Sequence, residues 1–161
     1  MKLVVILILS VTAVLGLAQA QNTKEKVAER PALYPFDVTI GGQKAVMQKG
    51  NMLFAVIEKP VKADALLEIE KLAPMLIINA FKVKAGGKVM QPGEQPAIYF
   101  VKQKKSVKLN QTMDKKPLAP GRYLINVVAH GVTSRVVFMI AGDSDKLEIP
   151  SVKDVFNFLM K

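Results

Sequence analysis

From Phe36 onward the chain keeps one rhythm: a short apolar run, often alternating apolar with polar, then a stop built from Gly or Pro. Phe36-Asp37-Val38-Thr39-Ile40 alternates and halts at Gly41-Gly42. Ala45 to Gln48 ends in Lys49-Gly50-Asn51, and Met52 to Ile57 closes at Glu58-Lys59-Pro60. Met75 to Val83 precedes Ala85-Gly86-Gly87, Lys88 to Met90 precedes Pro92-Gly93, and Ala97 to Val101 and Ser106 to Asn110 follow. Period-two alternation puts successive side chains on opposite faces of a strand. Such runs at spacings of about ten residues, cut by turn residues, predict an all-β protein of two packed sheets.

The clearest local signal is the last pair of runs. Pro117-Leu118-Ala119-Pro120-Gly121 is a rigid turn feeding Arg122 to Ala129, where Tyr123, Ile125, Val127 and Ala129 share a face. His130-Gly131-Val132-Thr133 then reverses the chain into Ser134 to Ala141. There Val136-Val137-Phe138-Met139-Ile140 is apolar on both faces, as at a sheet centre or under a helix. The stretch Leu118 to Val127, a Pro-Gly turn leading to Tyr123 on an alternating strand, resembles the penultimate strand of bacterial immunoglobulin-like and fibronectin-type-III-like domains. The resemblance covers residues 117–141 and implies a fold, not a function. That family's Cys and Trp core pair is missing, since the chain has neither residue. The expected architecture is an immunoglobulin-like antiparallel β-sandwich of about seven strands over residues 35–149.

Two segments depart from the strand rhythm. Val61 to Leu72 fits a strand through Leu67 and Ile69, and equally a helix rich in Ala, Leu, Glu and Lys; propensity favours a helical turn that Pro74 ends. At residues 150–161, Ser151 is a candidate N-cap with Asp154 three residues on. Val152, Val155, Phe156 and Leu159 then form one helical face. So short a helix is unstable alone and must dock on the domain.

At the other end, Lys2 precedes an apolar run that closes in Ala18-Gln19-Ala20, the order of a secretory signal peptide cleaved after Ala20. The run is shorter than the ~20 residues a membrane-spanning helix needs. Gln21 to Tyr34 then reads as a disordered leader, polar as far as Arg30 and punctuated by Pro31. Cleavage lowers the formal charge of +10 by one and leaves about one domain's length of chain. An exported domain of this size commonly uses disulfides, yet this chain has no cysteine and must be held by packing. The composition suits a bacterial periplasmic or secreted protein without a lipidated cysteine. The sequon Asn110-Gln111-Thr112 is a coincidence in that setting.

Catalytic and metal signatures are sparse. His130 is the single histidine and sits at a turn with no Cys or second His to complete a dyad or metal site. Of the mature methionines only Met47 and Met52 are close enough in sequence to suggest a soft Cu(I) site. Met52, Met75 and Met139 suit core filling. Glu68 and Glu70 share a strand face, and Asp143-Ser144-Asp145 lacks the further oxygen ligands of a calcium loop. No phosphate loop, dinucleotide fingerprint or nucleophile elbow occurs. The expectation is a protein without enzymatic activity or cofactor. A methionine-based copper handler and an enzyme whose acids converge only in the fold stand as alternatives.

The lysines carry the remaining signal. Lys102, Lys104, Lys105 and Lys108 flank an expected strand-to-strand turn, with Lys115 and Lys116 a few residues on. Lysine far outnumbers arginine, which suits diffuse attraction to an anionic surface over bidentate phosphate reading. Export and the lack of an aromatic stacking stripe argue against nucleic acid. These six lysines are the candidate binding residues, for an envelope protein or an anionic envelope polymer. Edge-strand lysines also keep a sheet from pairing with other chains, an ordinary role that competes with this one.

Overall fold

A computed structural model describes residues 33–89, 94–142 and 149–161. The signal-peptide segment, the polar stretch through Arg30 and Pro31, Met90, the Pro92-Gly93 turn and Asp143-Ser144-Asp145 lie outside the described residues.

The chain is all-β with one short helix. The strands are β1 (Val38–Ile40), β2 (Gln43–Lys44), β3 (Val46–Met47), β4 (Ala55–Val56), β5 (Leu66–Lys82), β6 (Ala97–Lys108), β7 (Gly121–Ala129) and β8 (Val132–Ile140), followed by α1 (Val152–Leu159). They form one mixed sheet in the order β2-β1-β5-β7-β8-β4-β3, with β6 added on β5. The strands therefore do not build a clear antiparallel immunoglobulin-like sandwich. β4 runs parallel to β8, pairing Ala55 with Val136 and Val56 with Val137. β5 is long enough to take β1 at Leu67–Ile69 and β7 at Ile77–Lys82, so one strand holds both halves in a single sheet. The run from Gln43 to Met47 pairs with β1 through β2 and with β4 through β3. Between them Ala45 is buried and donates its N–H to Val38 O at 2.9 Å. The sheet thus nearly closes on itself like a barrel.

β5 and β6 bend together. Glu68 pairs with Ser106 and Ala73 with Lys104, so Ile69 to Leu72 stand against Lys105 alone and form a bulge. Pro74, which has no N–H to give, falls opposite Gln103, whose φ of 50° leaves strand geometry. A straight strand rising about 3.3 Å per residue would hold Tyr99 and Leu109 more than 30 Å apart. Yet the Tyr99 hydroxyl donates to Leu109 O at 2.6 Å, so β6 folds back over the core. Burial pushes the Tyr99 phenol well above its ordinary range.

Four expectations change here. Residues 66–72 are strand and not helix: alternating Leu67 and Ile69 are buried, and backbone pairing to β1 and β6 outweighs a weak helix propensity. Ala97 to Lys108 is one bent strand and not two, because the bend absorbs the direction change expected of a turn. Lys88 and Val89 belong to no strand, and Ala85–Gly87 is a short 3-10 turn. Tyr34, expected in the leader, is core; its hydroxyl donates to Ala45 O and accepts from the Val38 N–H.

The main core lies inside the closed sheet and includes Ile40, Leu67, Leu76, Ile78, Tyr99, Ile125, Val127 and Phe138. Tyr123 and Phe138 stack with ring centroids 5.8 Å apart. A second core lies on the outer side of β7, β8 and β4, where α1 sets Val155 against Phe54, Leu124 and Val137. This explains a last strand apolar on both faces: Val136, Phe138 and Ile140 point inward, and Val137 lies under the helix. β7 and β8 are joined by His130-Gly131, both at positive φ as the tight hairpin turn requires.

The helix begins as its sequence implies. Ser151 Oγ accepts from the Asp154 N–H at 3.1 Å, and the Asp154 carboxylate accepts from the Ser151 N–H at 2.8 Å. The Ser151 hydroxyl and backbone hydrogen bonds hold the Asp154 carboxyl below the usual aspartate range. The carboxylate therefore stabilises the helix start fully at neutral pH, and that contribution is lost as pH falls through the lowered value. Ser151→Ala is expected to cost about 1 kcal/mol. Hydrogen exchange of the 152–159 amides, measured in both proteins as the pH is lowered, checks both statements: the wild-type helix loosens in acid, and the variant is loose from the start.

Candidate functional site

The bend of β5 and β6 is where the structure gathers the predicted lysines. Lys102, Lys104 and Lys105 sit on its β6 side around Gln103, all exposed, and Lys71 is exposed on the β5 side. β6 pairs with β5 and with no other strand among the described residues, so this is also a sheet edge. Lys102 Nζ lies 5.9 Å from the centre of the Phe100 ring, a cation–π contact that holds the ammonium beside an exposed aromatic. Ion pairs among the described residues join Lys44 to Asp37 and Lys84 to Glu94, and none takes a lysine of the bend.

The other candidates are not all part of this cluster. Lys108 is exposed at the end of β6, opposite Leu66. Lys115 and Lys116 lie on the loop after β6, whose Met113 N–H donates to Ile98 O at 2.7 Å, placing the loop beside the start of β6. In that loop the Thr112 side chain and the Lys116 backbone hold the Asp114 carboxyl below its usual range. Lys116 is thereby seated beside a carboxylate, its N–H 3.3 Å from Asp114 Oδ1.

The bend also exposes apolar side chains that the residue pattern did not single out for this role. Leu72 is 61% exposed, Met75 48% and Phe100 41%. Met75 is the cross-strand partner of Lys102, and Ile77 that of Phe100. Met75 is therefore not the core residue expected. The signal was present in the sequence as Leu72-Ala73-Pro74-Met75, apolar residues around a proline that no central strand position tolerates.

His130 stands at the hairpin turn, exposed as anticipated, with φ of 52°. It borders a cleft of about 340 Å³ whose walls include Phe36, Ile69, Glu70, Lys71 and Val132. Met47 packs against the main core from β3 while Met52 is 68% exposed, so the two methionines lie in different settings. No three acidic or histidine side chains gather at a point that could hold a metal among the described residues. Nor is any helix among them long and apolar enough to cross a membrane.

What the bend offers chemically is a set of ammonium groups, without an ion-pair partner among the described residues, beside solvent-exposed apolar surface. The chain matches no protein-family model, no curated protein and no solved structure.

Proposed function

We propose that this protein is a non-catalytic binding module, exported to the cell envelope, that recognises an anionic partner through the lysines of β6 and its bend. The observation that carries the reading is the grouping of Lys102, Lys104 and Lys105 with Lys71 at one exposed bend, with no carboxylate paired to them among the described residues. Lysines on a sheet edge, without an ion-pair partner among the described residues, create a positive field that draws anionic groups. Export rests on the charged, apolar and Ala18-Gln19-Ala20 order of the first residues. An immunoglobulin-like origin of the last two strands is supported by the Tyr123 hydroxyl, which donates to Ala119 O at 2.8 Å four residues upstream.

Changing Lys102, Lys104, Lys105 and Lys108 together to Gln is expected to reduce binding to a polyanion such as polyglutamate at least about tenfold, while leaving the melting temperature nearly unchanged, since exposed charges contribute little to folding. Wild-type binding should also weaken steeply with salt, as the Debye length falls from about 10 Å at 0.1 M to about 3 Å at 1 M. Unchanged polyanion capture by the quadruple variant returns these lysines to the role of keeping the edge of β6 from pairing with other chains.

A further inference from the structure

We infer that the anionic partner is a lipid bilayer surface, which the bend of β5 and β6 enters with Leu72 and Met75 while Lys71, Lys102, Lys104 and Lys105 rest on the headgroups. This deepens the anion-binding reading above and rests on it.

The first ground is placement. The four residues Ile69 to Leu72 oppose Lys105 alone, so the surplus chain forms a bulge in the β5–β6 pair while Ile69 stays paired with Val38 of β1. Ile69 remains buried, and Leu72 is carried to the surface beside Lys71. Pro74 and Met75 follow, both exposed, and Met75 faces Lys102 across the strand pair. Apolar and cationic side chains thus alternate on one exposed bend. Large apolar side chains grouped on a surface mark a contact with something.

The second ground is what such a bend can fit. Among the described residues of the bend, the exposed acid set against the four lysines is Glu70, so the charge there complements an anionic surface. Leu72, Met75 and Lys102 lie on exposed surface outside the cleft that Ile69, Glu70 and Lys71 border. A bilayer interface needs no shape match: it accepts apolar side chains at the acyl boundary and lysine ammoniums among anionic headgroups, each basic residue adding to the attraction. Lysine stems lie along apolar surface while their charged ends stay in water, which an interface of this kind rewards. The Phe100 ring under Lys102 extends the same amphipathic surface along β6. A second copy of the chain is a poor occupant, because two lysine-rich bends repel.

The test uses a property of the chain, its lack of cysteine, so that a single introduced thiol labels one position. Protein recovered from the exported fraction carries an environment-sensitive dye at Leu72→Cys or, as control, at the distant exposed Met52→Cys. Vesicles of mixed phosphatidylcholine and phosphatidylglycerol should blue-shift the dye at position 72 and leave the dye at position 52 unchanged. Vesicles of phosphatidylcholine alone should shift neither. Leu72→Ser combined with Met75→Ser should weaken binding to the mixed vesicles at least about tenfold, yet bind polyglutamate as wild type does. An unshifted dye at position 72, or full vesicle binding by the double serine variant, overturns the inference. Failure on vesicles with polyglutamate binding retained removes the bilayer alone, whereas failure on both removes the anion-binding reading as well.

Discussion

Val127→Asp is expected to abolish cooperative unfolding. Val127 is fully buried in the main core, paired on one side with Ile78 of β5 and on the other with Ser134 of β8. The described residues of the main core offer a carboxylate there no cation to pair with, and an unpaired buried charge costs at least about 4 kcal/mol. That is a large part of the 5–15 kcal/mol typical of a whole domain. The companion variant Val128→Asp reads the register. Val128 is half-buried on the opposite face, so the charge can reach water and the variant should keep a cooperative transition. Urea titrations followed by circular dichroism distinguish the two. If Val128→Asp were the more damaging, the strand would be displaced by one residue, which exchanges its faces.

Gly87→Ala should detach the C-terminal helix. A β-carbon on Gly87 would stand 2.0 Å from the carbonyl oxygen of Asp154 and 2.7 Å from the Val155 nitrogen. Both are backbone atoms of the first helical turn, so no side chain can swing aside. The residue also holds φ of +80°, where a side chain adds about 1–2 kcal/mol of strain. Overpacking adds a further 1–3 kcal/mol or so, unless the helix lifts away and exposes Val155, Phe54 and Val137. Gly86→Ala is the control: φ is +67° but nothing lies within 4 Å of the added carbon, so only the strain is felt. The expected result is a far larger loss of stability for Gly87→Ala than for Gly86→Ala, with lost amide protection confined at first to residues 152–159. Equal losses would mean that conformation at the turn, and not contact with the helix, dominates.

Neither Val127 nor Gly87 lies at the bend of β5 and β6. The bend is exposed and arises from a mismatch in strand length, so its serine and glutamine variants leave both cores untouched. Variants at Val127 or Gly87 would instead lower binding only by lowering the folded fraction, which thermal melts measured alongside separate from a direct effect.

Local chemistry in the residues was enough to imply an all-β chain, the β7–β8 hairpin with Tyr123, Ile125 and Val127 inward, and a capped helix at Ser151. Each of these depends on neighbours a few residues apart: alternation, a Gly at a turn, a hydroxyl three residues before the amide it caps. What needed the tertiary structure depends on partners distant in sequence. Glu68 and Leu67 carry good helix formers' propensities, but β1 and β6 supply hydrogen bonds on both sides of residues 66–69, and those outweigh differences of a few tenths of a kcal/mol per residue. The lysines of residues 102–105 were visible as a cluster, but not as the outside of a bend. That setting comes from Ile69 to Leu72 opposing one residue of β6, a register that no local pattern encodes. The same mismatch carries Leu72 and Met75 to the surface. Their exposure is thus a property of pairing between two strands, while their apolar character is written in the residues themselves.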